Sequence, residues 1–265
     1  MGVLNVTPDS FSDGGRYADP ERAAARAAQM IAEGADIIDI GGESSRPGAL
    51  PVGTDMELRR VLPVIERLRS EKDVFISVDT RKSVVAEAAL RAGAHIINDI
   101  SALEDDRGMA ETVRRYGAGL ILMHKKGEPR NMQDDPRYEN VADEVLAYLK
   151  ERIGVLSAAG IEPARIAVDP GIGFGKSAGH NIELIGRMEK MTACGRPVVM
   201  GLSRKSFLGG ITGRPVNERL AASLGALAYC VLKGANIMRV HDVKESRDVL
   251  KVLNALNRSG ENRTC

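Results

Sequence analysis

The sequence has no tryptophan, and its aromatic content is 3%. That leaves few rings for a module that binds nucleic acid by stacking bases. A charge surplus is also absent: 37 Lys and Arg stand against 36 Asp and Glu, for a net charge of +1. Without a broad basic field, any anionic substrate must be held by a few placed cations. Cysteine is sparse, and Cys194, Cys230 and Cys265 lie far apart without CxxC spacing. An odd, scattered set fits unpaired thiols in a reducing compartment, not a disulfide framework or a metal site. The longest apolar run, 220–232, is interrupted by Ser223 and Gly225 and stops at Lys233. It falls short of the ~20 residues a spanning helix needs. Residues 1–13 lack the basic-then-apolar pattern of a secretory leader. The four histidines show no zinc spacing, and no nucleophile elbow is found. These absences point to a cytoplasmic protein that engages neither nucleic acid nor membrane.

What is present is a rhythm of strand, loop and helix. The pattern predicts strands at 2–6, 36–40, 74–78, 95–98, 119–123, 166–169, 198–201 and 237–240. Helices are predicted at 20–33, 54–70, 83–92, 107–116, 138–158, 181–192 and 216–233, with a closing helix that places Val249, Leu250, Leu253 and Leu256 on one stripe. Eight βα units in 265 residues imply parallel strands joined by helical crossovers. They favour a closed ring over an open sheet, since such barrels run to ~250 residues. The expected architecture is α/β, a single (β/α)8 TIM barrel over residues 1–257, followed by a polar, frayed tail at 258–265.

Polar side chains collect where strands end. They are Asn5; Asp39; Asp79; Asn98 and Asp99; His124, after Met123; Asp169; Ser203, Arg204 and Lys205; and Arg239 with His241. A single Asp or Asn at such a place can simply cap the next helix. Eight strand ends carry such groups, and several lie too far before the helix to cap it. In a barrel those ends converge on one mouth, where active sites of this fold lie.

Residues 169–177 read D-P-G-I-G-F-G-K-S. This is not a Walker loop, because only three residues separate Gly171 from Gly175. Two readings stay open: a flexible turn leaving a strand, or glycines that let the backbone approach a flat ligand with Phe174 packed against it. Arg239 and His241 flank Val240, so an extended backbone puts both on one side. Loops after strands seven and eight are the usual phosphate site of this fold, and Arg46 and Lys205 add charge. The alternative is that Arg239 and His241 form structural pairs with Asp242 or Glu245. Asn5 is a neutral oxygen ligand, enough for an Mg2+ that takes its other ligands from a diphosphate and water.

Several segments together resemble one family. They are G-V-L-N-V-T-P-D-S-F-S-D-G-G at 2–15, D-I-G-G-E-S-S-R-P-G-A at 39–49, S-V-D-T at 77–80, I-N-D-I at 97–100, L-M-H at 122–124, D-P-G-I-G-F-G-K at 169–176, G-L-S-R-K-S at 201–206 and R-V-H-D-V at 239–243. From end to end the chain is similar to the dihydropteroate synthases, pterin-binding TIM barrels. The resemblance implies condensation of 6-hydroxymethyl-7,8-dihydropterin diphosphate with 4-aminobenzoate, giving 7,8-dihydropteroate and diphosphate. By that likeness Asp79, Asn98, Asp169 and Lys205 hold the pterin, with Met123, Phe174 and Gly201 lining its slot. Ser45, Arg46, Arg239 and His241 hold the diphosphate, and Asn5 its Mg2+. Phe11, Arg46, Pro47, Lys205 and Ser206 form the aminobenzoate site. Asp79, Lys205, Arg239 and His241 are the expected catalytic set, and the expected assembly is a homodimer.

The chain departs from the family in three places. Ser45 stands where Thr is common, which keeps the hydroxyl. Lys125 and Lys126 replace a less basic pair, and only surface effects are expected of them. The chain opens on strand one, so the N-terminal hairpin usual in the family is expected to be missing or truncated. Two other functions share the pterin-binding barrel: a methyltetrahydrofolate–corrinoid methyltransferase and a non-catalytic pterin-binding paralogue. Neither calls for a diphosphate site.

Overall fold

The computed structural model describes residues 1–7, 20–45, 48–69, 74–128 and 131–261, without the side chains of 259–261. Its strands are β1 (Gly2–Asn5), β2 (Ile37–Gly41), β3 (Phe75–Asp79), β4 (Ile96–Asp99), β5 (Gly119–Met123), β6 (Ile166–Asp169), β7 (Val199–Gly201) and β8 (Ile237–Arg239). The helices are α1 (Pro20–Ala32), α2 (Thr54–Leu68), α3 (Ser83–Ala92), α4 (Met109–Tyr116), α5 (Val141–Ala158), α6 (Ala178–Gly186), α7 (Glu189–Thr192), α8 (Ser206–Thr212), α9 (Leu220–Leu232) and α10 (Val243–Glu261).

Strands β1 to β6 pair in chain order, all parallel, and β7 pairs with β8. Parallel bridges Val168–Val198 and Gly2–Val240 join the two sets. Val168 N donates to Pro197 O at 2.9 Å, and Val3 N to Val240 O at 2.9 Å. The eight strands therefore form a closed ring, the TIM barrel that the alternating pattern predicts.

The strands are apolar on both faces because both are covered. Ile38, Ile40, Ile76, Val78, Ile97, Leu120, Leu122 and Val168 are buried. Helix α2 turns Val61, Ile65 and Leu68 into that core, with Leu58 and Leu62 packed at its edge. Among the described residues, no helix is long and apolar enough to cross a membrane.

Three expectations are corrected. The helix predicted at 181–192 begins at Ala178 and breaks after Gly186, giving α6 and α7; Met188 and Met191 between and within them are fully buried. The turn between the two lets both methionines face the core. The stretch after β7 is not all loop: α8 forms despite Gly209 and Gly210, which lower helix propensity. Burial of Phe207 and Leu208 against the core outweighs that cost. The tail is also shorter than predicted, because residues 258–261 continue α10. On that helix Val249 and Leu250 pack against the core, whereas Leu256 is exposed.

Ile38→Ala removes a side chain with 0% exposure and is expected to cost about 2–5 kcal/mol in chemical denaturation. Val84→Ala, at a site 60% exposed, should stay within about 0.5 kcal/mol. Equal losses in the two variants would contradict this placement of the core.

Candidate active site

Register lines up the first half of the mouth. Asn5 pairs with Gly41, Gly41 with Asp79, and Asp79 with Asn98. Strand alternation puts Asp39 and Ser77 one layer below, pointing the same way. Asp39 is fully buried and collects three donors: Ser77 Oγ at 2.7 Å, Asn98 Nδ2 at 3.1 Å and Arg239 Nε at 2.7 Å. Arg239 donates a second bond, from its terminal nitrogen to Asp79 Oδ2 at 3.0 Å. One guanidinium thus bridges carboxylates from β2 and β3. Burial pushes the Asp79 carboxyl up to about 7; Arg239 pulls it down, while Asp39 pushes it further up.

The second half is built on β6 and β7. Burial pushes the Asp169 carboxyl up, and the Lys205 ammonium opposes that shift. Lys205 is held down to about 8 by burial, with Asp169 acting the other way. Its Nζ donates to Ile172 O and lies 4.7 Å from the Phe174 ring centre, a cation–π contact. The halves meet at Gly201: a Cβ there would lie 3.9 Å from Arg239 Cβ and 4.0 Å from Asp169 Oδ2. Met123, paired with Asp169, is buried. Asp79, Asn98, Met123, Asp169, Phe174, Gly201, Lys205 and Arg239 therefore gather at one mouth.

The glycine loop takes a more specific form than either sequence reading. Gly171 and Gly175 have φ of +70° and +64°. A Cβ on Gly171 would stand 1.8 Å from His124 O, and one on Gly175 2.1 Å from Lys126 O. The glycines admit the neighbouring backbone after β5, not a ligand directly. Inside the loop Lys176 is buried and bonded to His124 Nδ1 at 2.9 Å.

At the rim, His241 Nδ1 lies 3.0 Å from Ser203 Oγ. Asp242 pairs with Arg204, and Arg239 bridges Asp39 and Asp79 rather than taking the alternative pairing with Asp242 or Glu245. Ser45 is half-buried and Ser206 opens α8, exposed. Asn5 Oδ1 lies near Gly41, 3.6 Å from where a Cβ would stand. Phe11, Arg46 and Pro47 lie outside the described residues. Lys125 is not a surface group: its side chain is 8% exposed and pairs with Asp105 and Glu128, both shared with Arg81.

A family profile described as pterin binding enzyme matches residues 1–241. A Haemophilus influenzae dihydropteroate synthase is 45% identical over 96% of this chain and 92% of its own length. The Yersinia pestis dihydropteroate synthase, solved with a sulfonamide drug, superposes with a TM-score of 0.93 at 41% identity, covering 97% of this chain and 94% of that one. The Burkholderia cenocepacia enzyme, solved with 7,8-dihydropteroate, gives 0.90 at 44%, covering 99% and 92%. The chain belongs to the pterin-binding dihydropteroate synthase family.

The structure brings most of the strand-end residues singled out from the sequence to one mouth, whereas the sequence left Asp39 and Lys176 without roles. Asp39 stood in the row of strand-end acids, and only the fold shows that three donors converge on it. Lys176 sat in the glycine motif, where a lysine suggests an exposed cation; here it is enclosed.

Asp79 makes a pH prediction. The folded protein keeps its carboxyl proton up to about 7, whereas the unfolded chain releases it near the ordinary 3.8. The folded state binds more protons in that window, so this group's contribution to stability falls as pH rises from about 4 to about 7. Asp79→Asn lacks that loss. Its urea midpoint relative to the parent should therefore climb between pH 4.5 and 7.5, about the interval in which the carboxyl titrates; a constant difference would show an ordinary carboxyl.

Proposed function

We propose that this chain is a dihydropteroate synthase, a transferase that joins 6-hydroxymethyl-7,8-dihydropterin diphosphate to 4-aminobenzoate and releases diphosphate. One observation carries the reading. Carboxylates suited to a flat heterocycle and cations suited to its departing anion surround one opening, with Asp169 and Arg239 on either side of Gly201.

A pterin edge offers ring N–H and amino donors, which Asp169 accepts; its carbonyl and ring nitrogens take donors from Asn98 and Lys205. Phe174, Met123 and Gly201 are assigned to line the flat ring, and unpaired heteroatoms there would be costly, which favours this ligand over poorer matches. Arg239, His241 and Ser45, with Arg46, are assigned the diphosphate. Phe11, Pro47, Arg46, Lys205 and Ser206 are assigned the aminobenzoate.

Asn5 is assigned an Mg2+. Among the described residues no group of three His, Cys, Asp or Glu could hold a metal. The neutral Asn5 oxygen at the mouth fits an ion that takes most ligands from diphosphate and water. When bound, Mg2+ would neutralise charge gathering on the leaving group. We favour a dissociative route, in which the pterin delocalises a cation on its exocyclic CH2 and Asp79 stabilises it. The arylamine is neutral at pH 7 and attacks through its nitrogen lone pair without a strong base, and the acidic ammonium so formed gives its extra proton to water. The decisive assay mixes the protein, both substrates and Mg2+. Diphosphate release that requires aminobenzoate is expected, and Asp79→Asn should lower turnover by about 10²-fold or more while remaining folded. Absence of aminobenzoate-dependent release points instead to a pterin-binding protein of another kind.

The same reading includes a cytoplasmic homodimer. Ile211, Val216, Leu232, Val252 and Leu256 are exposed on α8, α9, α10 and the turn before α9. Apolar side chains of this number on adjacent helices favour a covered face. Sedimentation at micromolar concentration should give twice the chain mass; a monomer would remove this part of the proposal.

A further inference from the structure

Lys176 is the one charged member of the glycine motif to which the proposed chemistry gives no task. It is also the least expected residue in the barrel, a lysine with 2% exposure. Its three donors find three good acceptors: His124 Nδ1 at 2.9 Å, Gly171 O at 2.9 Å and Phe174 O at 3.1 Å. His124 O stands further off at 3.4 Å. Among the described residues no carboxylate is within bonding distance, and the ammonium is bonded to backbone and imidazole. Burial holds Lys176 down to about 7 and His124 down to about 3, so His124 is neutral and its Nδ1 can accept.

The carbonyls of Gly173 and Gly175 accept from Gln133 Nε2 at 2.6 Å and the Tyr138 hydroxyl at 2.8 Å, and three more of the loop's carbonyls divide between two lysines. Those of Gly171 and Phe174 turn inward to Lys176, while that of Ile172, between them, takes Lys205. The Phe174 ring supports the same Lys205 ammonium. On the amide side Gly171 N is held by Asp169 Oδ1 at 2.7 Å and Gly173 N by Asn181 Oδ1 at 2.7 Å. Lys176 is thus the side chain on which the loop's inward carbonyls converge.

We propose that Lys176 is a positioning residue: by gathering the Gly171 and Phe174 carbonyls with His124, it turns the Ile172 carbonyl and Phe174 ring toward Lys205 and fixes that ammonium over the pterin slot. The inference rests on the reaction proposed above. It gives the barrel an internal cation whose product is geometry, since its bonds are all to the protein.

Lys176→Met keeps the length and removes the ammonium. Its KM for the pterin diphosphate should rise about tenfold or more, while KM for 4-aminobenzoate, whose assigned site shares Lys205 with four other residues, should rise distinctly less. A general loss of structure would move both and lower turnover alike. Two changes at the acceptor provide an independent arm. His124→Asn keeps an oxygen near the place of Nδ1 and should stay within about threefold of the parent, whereas His124→Leu should follow Lys176→Met. A folded Lys176→Met with the parental KM for the pterin substrate overturns the inference. So do equal effects of the two His124 variants, which decide the matter if Lys176→Met does not fold. If the parent itself releases no diphosphate, the reaction reading fails. Calorimetric binding of a free pterin to the same variants then tests the positioning role alone, with the same order of affinities expected.

Discussion

A part-buried guanidinium between the fully buried Asp39 and the part-buried Asp79 organises this mouth. Arg239 comes from the last strand, while Asp39 and Asp79 lie 200 and 160 residues earlier. These bonds form only once the ring of strands has closed, so the polar floor is a product of the closed barrel. Removing Asp39, the fully buried member, would leave the guanidinium with less compensating charge and destabilise the fold. That penalty holds the arrangement rigid before any substrate arrives. Two of the five guanidinium N–H donors serve the bridge, and the others remain able to meet an anion. Arg239 is therefore both a structural bridge and, in the proposed reaction, a ligand for the leaving group.

The two halves of the mouth repeat one device with different cations. Asp79 faces Arg239, and Asp169 faces Lys205. Burial raises both carboxyls and the neighbouring cation opposes the rise. Arg keeps its charge under any such pressure, but Lys205 is held down to about 8 and responds to its surroundings. The loop that offers Ile172 O and the Phe174 ring consequently matters more to Lys205 than any loop does to Arg239. The three glycines and the enclosed Lys176 are the local cost of shaping that loop.

Much of this was legible in the sequence, for identifiable reasons. Strands β5 and β6 and helix α3 have the predicted bounds, because apolar runs between polar strand ends and glycines leave little choice. The polar strand ends read correctly as a mouth, since parallel strands in a ring share one direction. What escaped depends on tertiary context. Helix α8 has poor local propensity and forms through burial of Phe207 and Leu208. Lys125 and Lys176 look like ordinary cations in a string of letters; only packing encloses them. Asp39 could not be told from a capping acid until Ser77, Asn98 and Arg239 were seen to converge on it.

Depth within the mouth separates the substrate's two ends. Asp39 is fully buried, while the Asp79 and Arg239 side chains are 11% and 21% exposed. Acid therefore lies deepest and the guanidinium nearer solvent, with His241 beyond the end of β8. A diphosphate driven to the floor would meet carboxylates at short range, and like charges there repel strongly. A neutral pterin offering N–H donors meets no such barrier. In the proposed reaction the ring must enter first and the anion must remain at the rim, so the bond that breaks lies between an acidic floor and a basic edge. A cation formed at that bond is drawn toward Asp79 while the departing anion is held outward, a separation of charge that the folded barrel has already built.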